Sequence, residues 1–223
     1  MCSTFKLMLA AAVLSRVDSG ALRSSQRLRY TADSVLSNSP ITAAHLQEGA
    51  LPVGVLAQAV VEVSDNTAAN LLLELIGGPA GYTAYLRSLG DEVTRLDRVE
   101  PDLNSNLPGD PRDTTTPAAM LADMNKSLVG NSLAMHSRRK LLDWMRDCRT
   151  GRERLRAGVP AGWSAGDKTG TGERGAVNDL AIFRPPNRRP ILVACYQSDS
   201  NRSSDVLSAV HARIGAILAR ALT

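Results

Sequence analysis

The sequence predicts an α+β protein, in which an antiparallel sheet is flanked by helices and joined to an all-helical lobe. The first two thirds of the chain hold several segments with apolar residues at helical spacing. The last third holds three strand-like runs followed by one long amphipathic segment. A chain of 223 residues is long enough to bury a substantial core. We therefore expect a single unit over residues 1–223, with the helical lobe at about 3–146 and the sheet with its C-terminal helix at about 160–223.

The first fourteen residues permit two interpretations. A lysine followed by the apolar run Leu7–Leu14 is typical of a signal peptide. The same residues also fit a buried helix that starts at Ser3, continues to about Val17 and is ended by Gly20. The local pattern leaves both interpretations open.

The helical part is predicted from caps, breakers and apolar spacing. Leu28–Tyr30 is a short extended piece, and Thr42 caps a short helix after the Asn38-Ser39-Pro40 turn. Further helices are predicted over Val53–Val63, Thr67–Ile76, Ala80–Leu89, Pro117–Val129 and Leu133–Arg146. Between them, Arg95–Asp113 lacks periodicity, and such a long irregular loop is usually functional or disordered.

The sheet is predicted as an antiparallel meander of three strands. These are Trp163–Thr171, Asp179–Phe183 and Ile191–Tyr196. The last helix, Ser204–Leu222, follows them. Its apolar stripe should cover one face of the sheet and consists of Val206, Val210, Ile214, Ile217 and Leu218.

Composition and charge argue against nucleic-acid and membrane partners. The net charge is +4, but the basic runs Arg138-Arg139-Lys140 and Arg188-Arg189 contain no aromatic residue, and aromatics make up only 4% of the chain. No apolar run is long enough to span a membrane. We expect neither a metal site nor a cofactor, because the cysteines and histidines show no ligand spacing; they are Cys2, Cys148, Cys195, His45, His136 and His211.

Four short motifs carry the chemistry. Ser3 and Lys6 are three residues apart, which places a hydroxyl and an amine on one helical face, as a nucleophile and its base require. This spacing alone is common. Three later segments join it, namely Ser64-Asp65-Asn66, the loop Arg98–Asn104 with Glu100, and Lys168-Thr169-Gly170.

In this order, the motifs resemble those of class A serine β-lactamases. The segments Ser64–Leu73, Arg95–Arg98 and Asp113–Thr115 are similar to the family as well, and the resemblance extends from Cys2 through the C-terminal helix. It implies the three-layer sandwich of helices and sheet that β-lactamases share with penicillin-binding proteins. It also favours the buried helix over the signal peptide at the N-terminus.

The resemblance implies a role for each catalytic residue. Ser3 is the nucleophile, and either Lys6 or Glu100, acting through a water, takes its proton; the motif leaves that choice open. Glu100 with Asn104 holds the water that hydrolyses the acyl-enzyme. Ser64 returns a proton to the departing lactam nitrogen.

The resemblance also implies how substrate is bound. Asn66 contacts the side-chain amide of the substrate, and Lys168-Thr169-Gly170 recognises its carboxylate. Thr171 and Ser3 contribute backbone N–H groups to an oxyanion hole. Arg98 and Asp113 pair at the neck of the glutamate loop and hold it rigid.

Several positions depart from the family pattern. Asn38 stands where many members have an aromatic wall. Val177 replaces a strand arginine that helps to hold the carboxylate, and Arg154 occupies a place similar to that of a compensating arginine in some broad-spectrum members. Cys2 has no cysteine near Gly172, so the disulfide of some carbapenem-hydrolysing members is not expected.

The expected function is hydrolysis of β-lactams, with penicillins, cephalosporins and carbapenems as candidate substrates. The family implies a monomer that takes a small-molecule substrate in the periplasm or after secretion. The alternatives are a penicillin-binding peptidase or transpeptidase, a β-lactam sensor that does not hydrolyse, and an inactive fragment. The last arises because the helix and two strands that precede the serine helix in the family have no counterpart here, which would leave a sheet edge open.

Overall fold

A computed structural model describes residues 1–222, and its elements follow the predicted order. The helices are α1 Phe5–Asp18, α2 Pro40–Ala44, α3 Val53–Glu62, α4 Asn66–Ile76, α5 Gly78–Ser88, α6 Pro117–Met124, α7 Met135–Arg146 and α8 Ser204–Leu222. The strands are β1 Arg27–Arg29, β2 Ala50–Pro52, β3 Ser164–Thr171, β4 Val177–Arg184 and β5 Ile191–Gln197. The α+β class is confirmed.

Helix α1 forms the centre of the helical part. Every residue from 5 to 14 is buried, and the helix packs against α3, α4, α5 and α7. A helix that is apolar on all sides is stable only when it is surrounded in this way. The interpretation as a buried helix is therefore confirmed, although the α-helix begins at Phe5 and not at Ser3. Cys2–Thr4 form a 3₁₀ turn instead, which the chain enters through the positive φ of 50° at Cys2.

The main sheet has the strand order β3-β4-β5, with both pairs antiparallel. In the first pair Thr171 lies opposite Val177, and in the second Asp179 lies opposite Cys195. Strand β3 contacts the Cys2–Thr4 turn, and β5 forms the other edge of this sheet within residues 1–222. Helix α7 packs on both β3 and α1, so the division into two lobes stays a prediction.

Two predicted helix details were wrong. Thr42 lies inside α2, which begins at Pro40, because the fixed φ of proline suits the first helical position. The Thr42 hydroxyl donates to the Asp65 carboxylate at 3.0 Å instead of capping a helix. The helix predicted over Pro117–Val129 ends as an α-helix at Met124, and Asn125–Val129 forms a wider π turn.

The predicted inner face of α8 was right only in part. Ile214 and Leu218 are half-buried, and Ile214 packs against the cluster of Leu155, Ala181 and Phe183. Val206, Val210 and Ile217 are 41–58% exposed. The buried face instead carries Leu207, Ser208, His211, Gly215 and Ala219. The reason is close packing through glycine, because a Cβ on Gly215 would lie 2.2 Å from the carbonyl oxygen of Leu155. The helix therefore presents its small residues to the turn Leu155–Gly158 and turns Val206, Val210 and Ile217 outward.

Candidate active site

A polar cavity of about 410 Å³ lies where β3 meets the turn before α1. It is lined by Ser3, Asn38, Ser64, Asn66, Asn104, Thr150, Arg154, Thr169, Gly170 and Thr171. A larger apolar groove of about 850 Å³ lies between α6 and the start of β5, but it contains none of the motif residues. We therefore place the candidate site in the polar cavity, where segments far apart in the sequence meet.

Ser3, Lys6 and Glu100 form one contact group at the floor of the cavity. The Ser3 hydroxyl donates to Glu100 Oε1 at 3.2 Å, and Lys6 Nζ lies 2.9 Å from the same oxygen. The side chains of Lys6 and Glu100 are fully buried. Burial lowers the pKa of Lys6, and the attraction of Glu100 offsets this only in part. The geometry thus offers two groups that can accept the Ser3 proton, directly or through one another.

Ser64 lies between two buried lysines. Its hydroxyl oxygen accepts from Lys168 Nζ at 3.0 Å and from Lys6 Nζ at 3.4 Å. Lys6 also donates to the Ser64 carbonyl at 2.8 Å and to Asn66 Oδ1 at 2.5 Å. Burial and the nearby Lys6 lower the pKa of Lys168 to about 7. Because its oxygen accepts from both ammonium groups, the Ser64 hydroxyl has its own proton free to donate into the cavity.

The start of α4 fixes Ser64 and Asn66. Ser64 has a positive φ of 60°, and the next residue, Asp65, is the N-cap, whose carboxylate accepts from the backbone N–H of Ala68 at 2.8 Å. The same carboxylate accepts from α2, including the backbone N–H of Thr42 at 3.0 Å. The Ser-Asp-Asn motif therefore combines two cavity-facing side chains with one structural cap between them.

The Glu100 carboxylate is held from both sides. Its Oε2 accepts from Asn104 Nδ2 at 2.6 Å, while Oε1 faces Ser3 and Lys6. Its backbone is held by Asn70 of α4, whose side chain accepts from the Glu100 N–H and donates to the Glu100 carbonyl, each at 2.9 Å. Sequence reasoning missed Asn70 as a site residue. The available signal was a polar residue in the middle of an apolar helix, but its partner lies thirty residues away.

The neck of the loop is closed by Arg98 and Asp113, as the sequence suggested. Arg98 Nε donates to Asp113 Oδ2 at 2.6 Å. Asp113 Oδ1 accepts from the backbone N–H groups of Asp97 and Arg98 at 2.8 and 2.9 Å. Asp113 is almost fully buried. A buried carboxylate that accepts three hydrogen bonds restricts the loop more than an exposed ion pair does.

Strand β3 brings its side chains into the cavity by approaching the serine turn closely. A Cβ on Gly170 would lie 3.0 Å from both the Met1 carbonyl oxygen and the Thr4 nitrogen. Glycine is therefore the residue that lets the strand pack against this turn. The approach places Thr169 and Thr171 in the same cavity wall as Ser3.

Arg154, which also lines the cavity, is hydrogen-bonded to the same strand. Its Nη1 donates to the carbonyl oxygens of Gly170 at 3.0 Å and Asn178 at 2.7 Å, and its Nη2 donates to Thr171 Oγ1 at 2.6 Å. The residue is 7% exposed. Because the Thr171 oxygen accepts from Arg154, its hydroxyl proton is free to point into the cavity.

The positions that depart from the family pattern also lie at or near this cavity. Asn38 has a positive φ of 56° and donates to the Ser64 carbonyl at 3.2 Å. Val177 is buried opposite Thr171. Cys2 is a free thiol, and a Cβ on Gly172 would lie 2.5 Å from its sulfur.

Within residues 1–222, no group of three or more histidine, cysteine or acidic side chains could hold a metal ion. In the same range, no helix is both long and apolar enough to cross a membrane.

Comparisons with known proteins identify the family of the chain. Residues 1–222 match the model of the β-lactamase enzyme family. The chain is 52% identical to a solved ancestral class A β-lactamase and 53% identical to that of the last common ancestor of Gram-negative bacteria; each has a TM-score of 0.98 over 100% of this chain and 85% of the other. The class A β-lactamase candidate PenP from Rhodopseudomonas palustris is 47% identical, with a TM-score of 0.97 and the same coverage. The chain therefore belongs to the β-lactamase enzyme family and is a class A serine β-lactamase.

Proposed function

We propose that the chain hydrolyses β-lactam antibiotics through an acyl-enzyme on Ser3, which is released by a water that Glu100 activates. The observation that carries this proposal is the Glu100 carboxylate itself. It is buried, it contacts the Ser3 hydroxyl at 3.2 Å, and its second oxygen is held by Asn104. A carboxylate in this place can accept a proton from a water that attacks the acylated serine.

Acylation begins when Ser3 loses its proton and attacks the lactam carbonyl. Glu100 contacts Ser3 directly and Lys6 contacts Glu100, and both are candidates for the base that takes the Ser3 proton. A general base contributes about 100- to 10,000-fold in rate. The backbone N–H groups of Ser3 and Thr171 are proposed to bind the developing oxyanion, for which each donor contributes about 100- to 1000-fold.

Opening of the ring leaves a nitrogen that needs a proton. Ser64 is proposed to donate it, because its oxygen accepts from Lys168 and Lys6 and its hydroxyl proton is therefore free. The proton that left Ser3 is proposed to pass to Ser64 through Glu100 and Lys6, replacing the proton that Ser64 gave to the nitrogen. The step is balanced, since one proton leaves the nucleophile and one reaches the leaving group.

Substrate recognition is proposed to depend on two groups of the substrate, its carboxylate and its side-chain amide. Thr169 and Arg154 line the cavity and are proposed to bind the ligand carboxylate. Lys168 is buried next to the cavity, where it donates to the Ser64 hydroxyl, and is proposed to add positive charge. Asn66 and Asn104 offer amide groups to the substrate side chain. Penicillins, cephalosporins and carbapenems all carry such a carboxylate, so the cavity supports the class as a whole.

The competing functions differ in what happens to the acyl group. In a penicillin-binding peptidase, a transpeptidase or a sensor, the acyl group stays on the serine or is released only slowly. The contacts of Glu100 with Ser3, Asn104 and Asn70 favour the hydrolase, because they hold a base beside the ester.

We extend the proposal to the working state of the protein. We propose that the protein works as a monomer, as the family implies. The family implies a periplasmic or secreted enzyme that meets its substrates outside the cytoplasm.

One experiment separates these functions. The purified protein is mixed with a chromogenic cephalosporin, colour is followed, and the protein mass is measured over the same period. The hydrolase gives rapid colour and only a transient adduct. A persistent adduct with little colour indicates a peptidase or sensor, and neither colour nor adduct indicates an inactive chain.

A further inference from the structure

A short row of side chains continues from Thr169 in the cavity wall into the interior, and the proposed mechanism does not use the two residues beyond Thr169. Thr169 Oγ1 lies 2.6 Å from Thr150 Oγ1, and Thr150 Oγ1 lies 3.3 Å from the sulfur of Cys148. Thr150 and Thr169 line the cavity, whereas Cys148 is 2% exposed. The row thus links a buried thiol to a hydroxyl that faces the ligand.

The thiol is held in place by its own backbone. Cys148 follows the end of α7, and its carbonyl accepts from Arg156 Nη1 at 3.3 Å. The same guanidinium donates to the Met145 carbonyl at 2.9 Å and forms an ion pair with the fully buried Asp167. A Cβ on Gly151 would lie 2.3 Å from that carboxylate, so the segment is closely packed over it. These contacts fix the backbone of Cys148, and the 2% exposure of the residue shows that its side chain is enclosed next to Thr150.

The direction of the row follows from counting protons. Each threonine hydroxyl has one proton to donate. When Thr169 donates its proton to an anion in the cavity, the hydrogen bond between the two threonines is kept only with Thr150 as the donor. The Thr150 oxygen is then free to accept, and the adjacent donor is the S–H group of Cys148.

We propose that Cys148 is a positioning residue, whose S–H group donates to Thr150 and so directs the Thr150 and Thr169 hydroxyl protons toward a ligand carboxylate. This inference rests on the proposed function, because it takes the anion to be the carboxylate of the β-lactam. Cys148 itself does not touch the substrate. Its effect is to favour one of two directions in which the two hydroxyl groups can be ordered.

The thiol keeps its proton under ordinary conditions. Burial raises the pKa of Cys148 to about 11, with Asp167 adding to the effect. Asp167 is a competing acceptor for the S–H proton, because its ion pair with Arg156 leaves further lone pairs on the carboxylate. The response of the S–H band to Thr150→Val distinguishes the two acceptors. A neutral thiol in a fixed place is a weak but directional donor.

The direct test is the infrared S–H stretching band of the intact enzyme. The band is assigned by its loss in Cys148→Ser, with Cys195→Ala used to remove the signal of a thiol that does not line the cavity. Thr150→Val keeps the shape of the side chain and removes the acceptor. We expect the Cys148 band to move to higher frequency in Thr150→Val, whereas an unchanged band overturns the proposal.

Kinetics provide the second test. Cys148→Ala should raise KM for a carboxylate-bearing cephalosporin about fivefold, the usual effect of one neutral hydrogen bond, with kcat nearly unchanged. Cys148→Ser should restore KM, and Cys148→Ala should have no further effect in the Thr150→Val background. Cys195→Ala is the matched control for loss of a thiol. A fall in thermal stability with unchanged KM, or a failure of serine to restore KM, overturns the proposal.

The two tests separate this inference from the proposed function. A protein without turnover whose S–H band still responds to Thr150→Val refutes the proposed function and supports the hydrogen-bond row. An active enzyme whose band and KM do not respond overturns the positioning role and keeps the function.

Discussion

At the scale of single residues, the site depends on cations that burial has made less basic. Lys6 and Lys168 are both fully buried, and burial lowers the pKa of each. A lysine with an ordinary pKa would be a poor base near neutral pH, whereas a lowered pKa allows proton exchange. The same effect makes the positive charge at Lys168 sensitive to pH.

Lys168 should set the alkaline limit of substrate capture. Its pKa is lowered to about 7, so the free enzyme loses this charge as pH rises through that value. We expect kcat/KM to fall over the same range, because the ligand carboxylate loses its cation. In Lys168→Arg the charge persists, and the alkaline fall should move upward by more than one pH unit.

The measurement is the pH profile of kcat/KM for both proteins. The profile of kcat should fall at higher pH than that of kcat/KM, since the bound carboxylate favours the charged lysine. Identical alkaline limits in the wild type and in Lys168→Arg would show that another group controls substrate capture.

At the scale of elements, the glutamate loop depends on its closed neck. Asp113 accepts three hydrogen bonds, two of them from backbone N–H groups, and so joins both ends of the loop. Glu100 lies inside this closed segment. The position of its carboxylate is therefore coupled to a contact outside the cavity.

Asp113→Asn should slow deacylation at least about tenfold and change acylation less. The amide removes the charge that pairs with Arg98, and we expect about 2 kcal/mol of lost stability because the pair is mostly buried. Asp110→Asn is the matched control, since Asp110 lies 3.8 Å from Arg98 and pairs with the half-exposed Arg112. Pre-steady-state kinetics separate the two steps. Equal effects of both variants on deacylation would contradict the role of the neck.

Helix α6 carries a second pH-dependent group, remote from the cavity. Asp123 is fully buried, and burial together with Asp91 raises its pKa from 3.8 to about 8. The folded protein therefore holds this proton up to a higher pH than the unfolded chain does. Its contribution to stability is present below about pH 4 and is lost as pH rises through about 8.

Asp123→Asn should remove this loss. We expect the free energy of unfolding of the variant to exceed that of the wild type by roughly 1–2 kcal/mol more at pH 9 than at pH 5, after allowance for screening. Urea titrations at several pH values measure the difference. Parallel pH dependences in the two proteins would show that Asp123 ionises normally.

The elements also show what sequence alone can predict. Periodicity, Pro117 and the glycine breakers were enough for most helices and all three strands of the main sheet, because those signals are local. The orientation of α8 could not be predicted, since it depends on the fit of Gly215 against Leu155, sixty residues earlier.

The same contrast between local signals and distant contacts applies to the site. The motifs named Ser3, Lys6, Glu100 and Lys168, and the structure brings them together. Asn70, Thr150 and Cys148 were missed because their roles arise from contacts that no short motif contains.

At the scale of the whole molecule, the cavity exists because four distant parts of the chain meet. The serine turn packs on β3, the start of α4 contributes Ser64, and the Glu100 loop closes the floor. Buried helix α1 supports them all from within.

The most direct test of this account is the fate of the acyl group in Glu100→Ala. Wild type, Glu100→Ala and Ser3→Ala are each mixed with a β-lactam, and protein mass is recorded over time. We expect Glu100→Ala to form an adduct on Ser3 that is released at least about 100-fold more slowly than in the wild type, and Ser3→Ala to form none. If Glu100→Ala turned over at the wild-type rate, or Ser3→Ala kept its turnover, the account would be contradicted.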